Sequence, residues 1–282
     1  MINLLYCGNK KVFDGVLTGL ISILNRTNEI INCYIFTMDK SELNKDFLPI
    51  EDEQIFFLNE VVKRKNIKNI VKKIDVTDLY NREFKNSKNE KAYCTPYTLL
   101  RLLIDLVPNM PQKILYLDVD IMVGGRLEQL YNIDIDEYEY AAVKEKYGCW
   151  LVRPDYINAG MLLINMNESI KNKLFEKARD LIREKKFLFA DQDALFWSTT
   201  NKKILPRKYN EQSKFNREDT IICHFCKRLL WFPYPHTENF KQWNINEVHS
   251  VLKCYYYDND LKEYLILKKE FEDKNRKVKI EI

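Results

Sequence analysis

The stretch Ile114-Leu115-Tyr116-Leu117-Asp118-Val119-Asp120 constrains the fold more than any other part of the chain, because an apolar run leads straight into two carboxylates spaced i, i+2. An uninterrupted apolar run reads as a strand covered on both faces, hence a central strand and not an edge. In extended backbone the side chains of Asp118 and Asp120 share a face. Two like charges placed so repel, and they cost stability unless a cation sits beside them. A divalent metal resolves the conflict; the competing reading is a pair of solvated acids at a strand edge.

The surrounding pattern says what kind of sheet this strand belongs to. Ile2 to Cys7 is a short apolar run, and Ile30 to Met38 is another, rich in β-branched and aromatic residues. Between them Phe13, Val16, Leu17, Leu20, Ile21 and Leu24 recur at helical spacing. This predicts a βαβ unit, whose strand ends form a crevice able to receive a phosphate or nucleotide. The loop from Gly8 to Lys11 lies at such an end. Alternation continues: a helix through Ile55, Leu58, Val61 and Val62, a strand over Ile70 to Val76, and a helix through Leu99, Leu102, Leu103 and Leu106 stopped by Pro108. Tyr140 to Val143, Met161 to Met166 and Ile221 to Phe225 read as further strands, and Ile170, Leu174, Ala178, Leu181 and Ile182 as one face of a helix. The expected architecture is one mixed α/β domain with a mostly parallel sheet over residues 1–240. A helical appendage, 241–282, would follow.

Composition narrows the partners. Of 282 residues 46% are hydrophobic, enough for a full core, and 45 basic against 41 acidic residues leave a net charge of +4 spread along the chain. That spread argues against a nucleic-acid partner. The seven cysteines, Cys7, Cys33, Cys94, Cys149, Cys223, Cys226 and Cys254, are odd in number and lie mostly in apolar stretches. A disulfide framework is therefore not expected, and a reducing, cytoplasmic setting is. The opening residues lack a basic leader followed by an apolar segment, and every later apolar run is interrupted, as by Asn32 and Asp105, before the roughly 18 residues of a membrane span. Seven basic and seven acidic residues between Tyr255 and Ile282 make the tail a poor electrostatic anchor, so peripheral contact with the inner face of a membrane is only a minor expectation.

A metal needs more than two ligands. His224 stands at the end of the run Ile221-Ile222-Cys223, the same topological place as the aspartates. If parallel neighbours bring these ends together, Asp118, Asp120 and His224 form an O, O, N set that suits Mn²⁺ better than Ca²⁺, with Mg²⁺ as the alternative. No second cysteine pair stands at finger or ribbon spacing, which argues against zinc. The competing readings are local. His224 would be a hydrogen-bonded structural residue, Asp191 a helix N-cap, and Arg101 a partner of Asp105 at i, i+4.

Taken together, these motifs resemble those of the family 8 glycosyltransferases, retaining enzymes that include bacterial lipopolysaccharide glucosyl- and galactosyltransferases and glycogenin. The resemblance runs from about residue 2 to 235. It rests on Asp118-Val119-Asp120 as the Asp-x-Asp motif and on Tyr97-Thr98-Leu99-Leu100-Arg101-Leu102 as the upstream Tyr/Arg helix. Asn158-Ala159-Gly160 with Asn165, Asp191-Gln192-Asp193-Ala194-Leu195, and His224-Phe225 complete it, in order. It implies a GT-A fold. It also implies that Asp118, Asp120 and His224 hold Mn²⁺ against the diphosphate of a UDP-sugar, UDP-glucose or UDP-galactose, and that Arg101 helps grip the nucleotide. Asn158, Asp191 and Gln192 would line the sugar pocket, with Gln192 and Asp191 the catalytic candidates; Cys7, Gly8 and Asn9 would meet the uridine. The acceptor would be a glycan, a lipid-linked carbohydrate or a protein.

Two departures stand out. After the first strand the family often carries an acidic residue, then Asn-Tyr, where this chain has Asn9-Lys10-Lys11-Val12. Past the histidine the family continues with Gly and then Lys-Pro-Trp, whereas here Cys226-Lys227-Arg228-Leu229-Leu230-Trp231 follow, which points to Lys227 or Arg228 for the diphosphate contact by charge. Asp120→Asn is expected to leave the melting point unchanged or raised, through relief of repulsion. Two rival classes use the same residues: a haloacid-dehalogenase-type phosphatase with Asp118 as nucleophile, and a non-catalytic nucleotide-sugar-binding protein.

Overall fold

The computed structural model describes residues 1–90, 95–215, 217–230, 232 and 234–280; Cys94 and Trp231 lie outside them. The strands are β1 (Ile2–Cys7), β2 (Ile31–Thr37), β3 (Ile70–Asp75), β4 (Lys113–Leu117), β5 (Ile121–Val123), β6 (Tyr140–Lys144), β7 (Ile157–Asn165), β8 (Lys202–Leu205), β9 (Ile222–His224), β10 (Arg228–Leu230) and β11 (His236–Glu238). Seven of them form one sheet in the order β3-β2-β1-β4-β7-β6-β8. β1 pairs in parallel with β2 and β4, and β2 with β3, while β7 runs antiparallel to both β4 and β6. β8 pairs in parallel with β6. The sheet is thus mostly parallel, and the apolar run before Asp118 is its central strand, with β1 and β7 on either side.

Two apolar layers cover the sheet. One contains the helix Phe13–Leu24 with the inward residues Leu4, Tyr6, Leu115 and Leu117, and the other the helices Pro96–Leu106, Leu174–Glu184 and Ala190–Ser198. Phe13–Leu24 is buried almost all round because the long helix Asp258–Ile280 packs on its outer side, with the Phe13 and Phe271 rings 4.5 Å apart. Arg26, two residues past the end of that helix, fastens the packing through both oxygens of Asp260, at 2.9 and 2.8 Å.

Several expectations need correcting. The apolar spacing through Ile170 to Ile182 is not one helix: Met166–Lys171 and Leu174–Glu184 are separated at Lys173, whose φ is 55°, and Ile170 is exposed. The segment ahead of Pro108 is wound as a 3₁₀ helix, Pro96–Leu106, and ends where the residue before a proline must extend. The aspartates do not sit in extended backbone; β4 stops at Leu117, and Asp118-Val119-Asp120 form the turn into β5. Nor does His224 come from a parallel neighbour. β9 pairs antiparallel with β5, Ile121 opposite His224, as a separate two-stranded ribbon.

A candidate metal and nucleotide site

The turn that carries the aspartates is held on three sides. The Asp118 amide donates to Gly160 O at 2.7 Å, which extends the β4–β7 ladder by one residue. The Phe225 amide donates to Asp120 O at 2.8 Å, which extends the β5–β9 pairing in the same way. Beneath it Gly15 lets the first helix approach, since a Cβ there would lie 2.4 Å from Val119 O. Two ladders and one close helix contact thus bring the carboxylates and the imidazole to one point. Ligand atoms of Asp118, Asp120 and His224 all lie within 4.8 Å of one another. His224 Nε2 is 3.1 Å from Asp120 Oδ1 and 3.8 Å from Asp118 Oδ2.

The repulsion that the i, i+2 spacing implies is met by protein cations. Arg101, buried, donates to Asp118 Oδ1 at 2.9 Å, places Nε 3.2 Å from Asp191 Oδ2, also donates to Ala159 O, and lies 4.0 Å over the Tyr116 ring. Burial disfavours its charge, but Asp191, Tyr116 and Asp118 outweigh that and fix it as a cation. Lys241 Nζ stands 2.6 Å from Asp120 Oδ2. Burial alone would raise the Asp120 carboxyl, yet His224 and Lys241 hold it well below the usual range. Burial likewise works against a charged His224, and the neighbouring carboxylates Asp120 and Asp118 raise it nonetheless. Asp191 goes the other way, because its burial outweighs Arg101.

These groups open onto a cavity of about 450 Å³ whose lining includes Cys7, Gly8 and Asn9 from the end of β1, Phe47, Tyr97, Arg101, Tyr116, Asp118, Val119, Asp120 and Lys241. The other nominated residues fall elsewhere. Asn158 is turned inward, its Oδ1 accepting from Gly160 N and Asn210 Nδ2 at 3.0 and 2.9 Å. Gln192 Oε1 accepts from Ala159 N at 2.9 Å. Asp191 stands behind Arg101, inside the helix that opens at Ala190, and is not its cap. Arg101 does not pair with Asp105, which Arg179 holds instead. Neither Lys227 nor Arg228 lines the cavity. Arg228 lies 3.9 Å over the Phe215 ring and donates to Gln212 O.

Sequence reasoning missed Lys241 and Asn210. Lys241-Gln242-Trp243 keeps the Lys-x-Trp spacing that seemed lost after His224, displaced by the β10–β11 hairpin, and that spacing was the available signal. Gln242 docks the segment by donating to Val119 O and Thr18 Oγ1 at 2.9 and 3.0 Å. Residues numbered with the C-terminal appendage therefore touch the turn that carries the aspartates. The donor set fits a hard divalent cation: two carboxylates and an imidazole, with an ammonium group already drawn to one of the acids.

The family model described as Glycosyl transferase family 8 matches residues 3–229. The chain belongs to that family. It is 26% identical over 281 residues to the lipopolysaccharide 1,3-galactosyltransferase of Salmonella typhimurium, covering 88% of this chain and 79% of that protein. Its identity to the lipopolysaccharide 1,2-glucosyltransferase of Escherichia coli is 32% over 143 residues, 40% of this chain and 42% of that one. The matches to that relative and to one from Haemophilus influenzae span 42% and 58% of those proteins' own lengths. Among solved structures, galactosyltransferase LgtC in complex with donor and acceptor sugar analogues matches with a TM-score of 0.65 at 14% identity, over 95% of this chain and 96% of that one. The fold is GT-A. Neither the phosphatase nor the non-catalytic reading finds support in these likenesses. Among the described residues no helix is long and apolar enough to cross a membrane.

Proposed function

We propose that this glycosyltransferase moves a hexosyl group, glucose or galactose, from a UDP-sugar to a carbohydrate or lipid-linked acceptor with retention of anomeric configuration. The observation that carries the reading is the meeting of buried His224 with Asp118 and Asp120, two residues in the wall of the cavity that begins at Cys7 and Gly8. Asp118, Asp120 and His224 would hold Mn²⁺, or Mg²⁺ in its place. Such a cation acts as a Lewis acid for the charge that grows on a departing diphosphate.

The chain's own residues supply the rest. Cys7, Gly8 and Asn9 bound the end of the cavity where the base would lie, and Phe47 and Tyr97 wall it with rings 5.6 Å apart. Lys241 is the protein cation best placed for the diphosphate, in the role first given to Lys227 or Arg228. Arg101 orients Asp118 through a charged hydrogen bond and holds Asp191 behind it. That arrangement makes Asp191 a poor free nucleophile, which favours attack by the acceptor on the same face as departure. Gln192, anchored on Ala159 N, keeps a neutral amide beside the sugar subsite. Peripheral membrane contact and a cytoplasmic setting belong to the same reading, the acceptors being cell-surface glycans or their precursors.

The test is incubation with UDP-glucose and, separately, UDP-galactose in Mn²⁺. The expected result is UDP release with one donor well ahead of the other, abolished by chelation. Phosphate release from a generic monoester, or no turnover with either donor, would overturn the proposal.

A further inference from the structure

Asn210 is fully buried and belongs to none of the motifs above, yet it is hydrogen-bonded to His224. The orientation of its amide follows from one unambiguous donor. Gly160 N–H can only donate, and it donates to Asn158 Oδ1 at 3.0 Å. Asn158 therefore presents an acceptor, and the Asn210 atom 2.9 Å from the same oxygen must be the donating Nδ2. That leaves Asn210 Oδ1 facing His224 Nδ1 at 3.1 Å, so Nδ1 must carry hydrogen. The remaining nitrogen, Nε2, is the one turned toward Asp120 and Asp118. The ring can occupy this place only because residue 160 is glycine, since a Cβ there would lie 2.1 Å from His224 Cε1.

We infer that Asn210 is a positioning residue that fixes His224 in the Nδ1–H form, aiming the Nε2 lone pair at the cation held with Asp118 and Asp120. The inference rests on the reading of those three residues as metal ligands. Hydrogen bonds from the second nitrogen of a metal-binding histidine set its tautomer and orientation, and their loss typically lowers metal affinity about 10- to 100-fold. Asn158 thereby gains a role different from lining the sugar pocket: it relays the backbone's polarity to Asn210.

The experiment has two parts on the full chain. With Mg²⁺ and UDP bound, ¹⁵N imidazole spectra of the wild type, tractable with three histidines, should show His224 protonated at Nδ1 and not at Nε2. The opposite tautomer would overturn the inference without any variant. Mn²⁺ affinity measured by calorimetry should fall about 10- to 100-fold in Asn210→Leu, which cannot accept a hydrogen bond, and recover most of that loss in Asn210→Asp, which can. In a His224→Ala background Asn210→Leu should have no further effect. Equal losses in the Leu and Asp variants, or an undiminished loss without His224, would mark Asn210 as merely structural and overturn the inference. Wild-type protein that binds neither Mn²⁺ nor UDP would instead overturn the reading of the site beneath it.

Discussion

Asp120 and Asp260 are both buried carboxylates neutralised by protein cations, and their differences separate a binding site from a structural clamp. Both oxygens of Asp260 meet a single guanidinium, that of Arg26, which also donates to Ser22 O and lies 5.6 Å over the Tyr257 ring. Asn25 Nδ2 adds a third donor to Asp260 Oδ1 at 3.1 Å, so both oxygens are taken up by protein groups. Asp120 divides its oxygens between His224 and Lys241, which come from two separate segments, and it faces the cavity beside a second carboxylate. A planar fork matched to a carboxylate leaves nothing for a ligand to replace, whereas a flexible ammonium on one oxygen can yield to a metal.

If that contrast is sound, substitutions in the two places should fail in different ways. Asp120→Asn should lower metal-dependent UDP release by about 10³-fold or more, since Lewis-acid stabilisation amounts to several kcal/mol. Its melting point should also fall, by the equivalent of about 1–3 kcal/mol, because His224 and Lys241 lose their counter-charge. This reverses the expectation from spacing alone, in which relief of repulsion left stability intact. Activity assays and thermal melts on the one variant would sink the contrast if activity persisted. Arg26→Ala leaves Asp260 buried without its counter-charge, held by Asn25 Nδ2, and should cost about 3 kcal/mol of stability while Mn²⁺-dependent UDP affinity changes less than about twofold. Denaturant titration and calorimetry measure the two separately. A loss of UDP affinity in folded Arg26→Ala would mean that the C-terminal helix and the site are one unit.

Much of this was legible in the chain because local chemistry decided it. β1, β2 and β4 announce themselves by apolar runs, and Asp118, Asp120 and His224 stand out because charge after a buried run needs explaining. The paths that join them were not legible. The strand that carries His224 was legible, but its partner was not, since the pairing of β5 with β9 is a long-range register that a three-residue run cannot specify. The break at Lys173 was hidden because apolar spacing continues across it, although the backbone turns through positive φ. Arg101 offered a local partner, Asp105, worth only a few tenths of a kcal/mol, and folding gave it two carboxylates from distant segments instead. Lys241 was hidden by its distance in sequence, since the β10–β11 hairpin separates it from the histidine it works beside.

Lys241 also gives the sharpest, though smallest, test of the contrast, because its removal should move two affinities in opposite directions. Its ammonium stands 2.6 Å from Asp120 Oδ2, so a cation taking that oxygen must displace it. Lys241→Met keeps the aliphatic stem and removes that competitor, and affinity for Mn²⁺ alone should rise roughly threefold to tenfold, the scale of a partly exposed ion pair of up to about 1 kcal/mol. With Mn²⁺ saturating, the same variant should bind UDP more weakly by a similar factor, because no ammonium remains to meet the diphosphate. Calorimetric titrations of metal alone and of UDP in excess metal measure the two terms. A simple structural lysine would weaken both together, and a lysine irrelevant to the nucleotide would change only the first. Arg26 of the structural clamp can produce neither pattern, since its partner has no second ligand waiting.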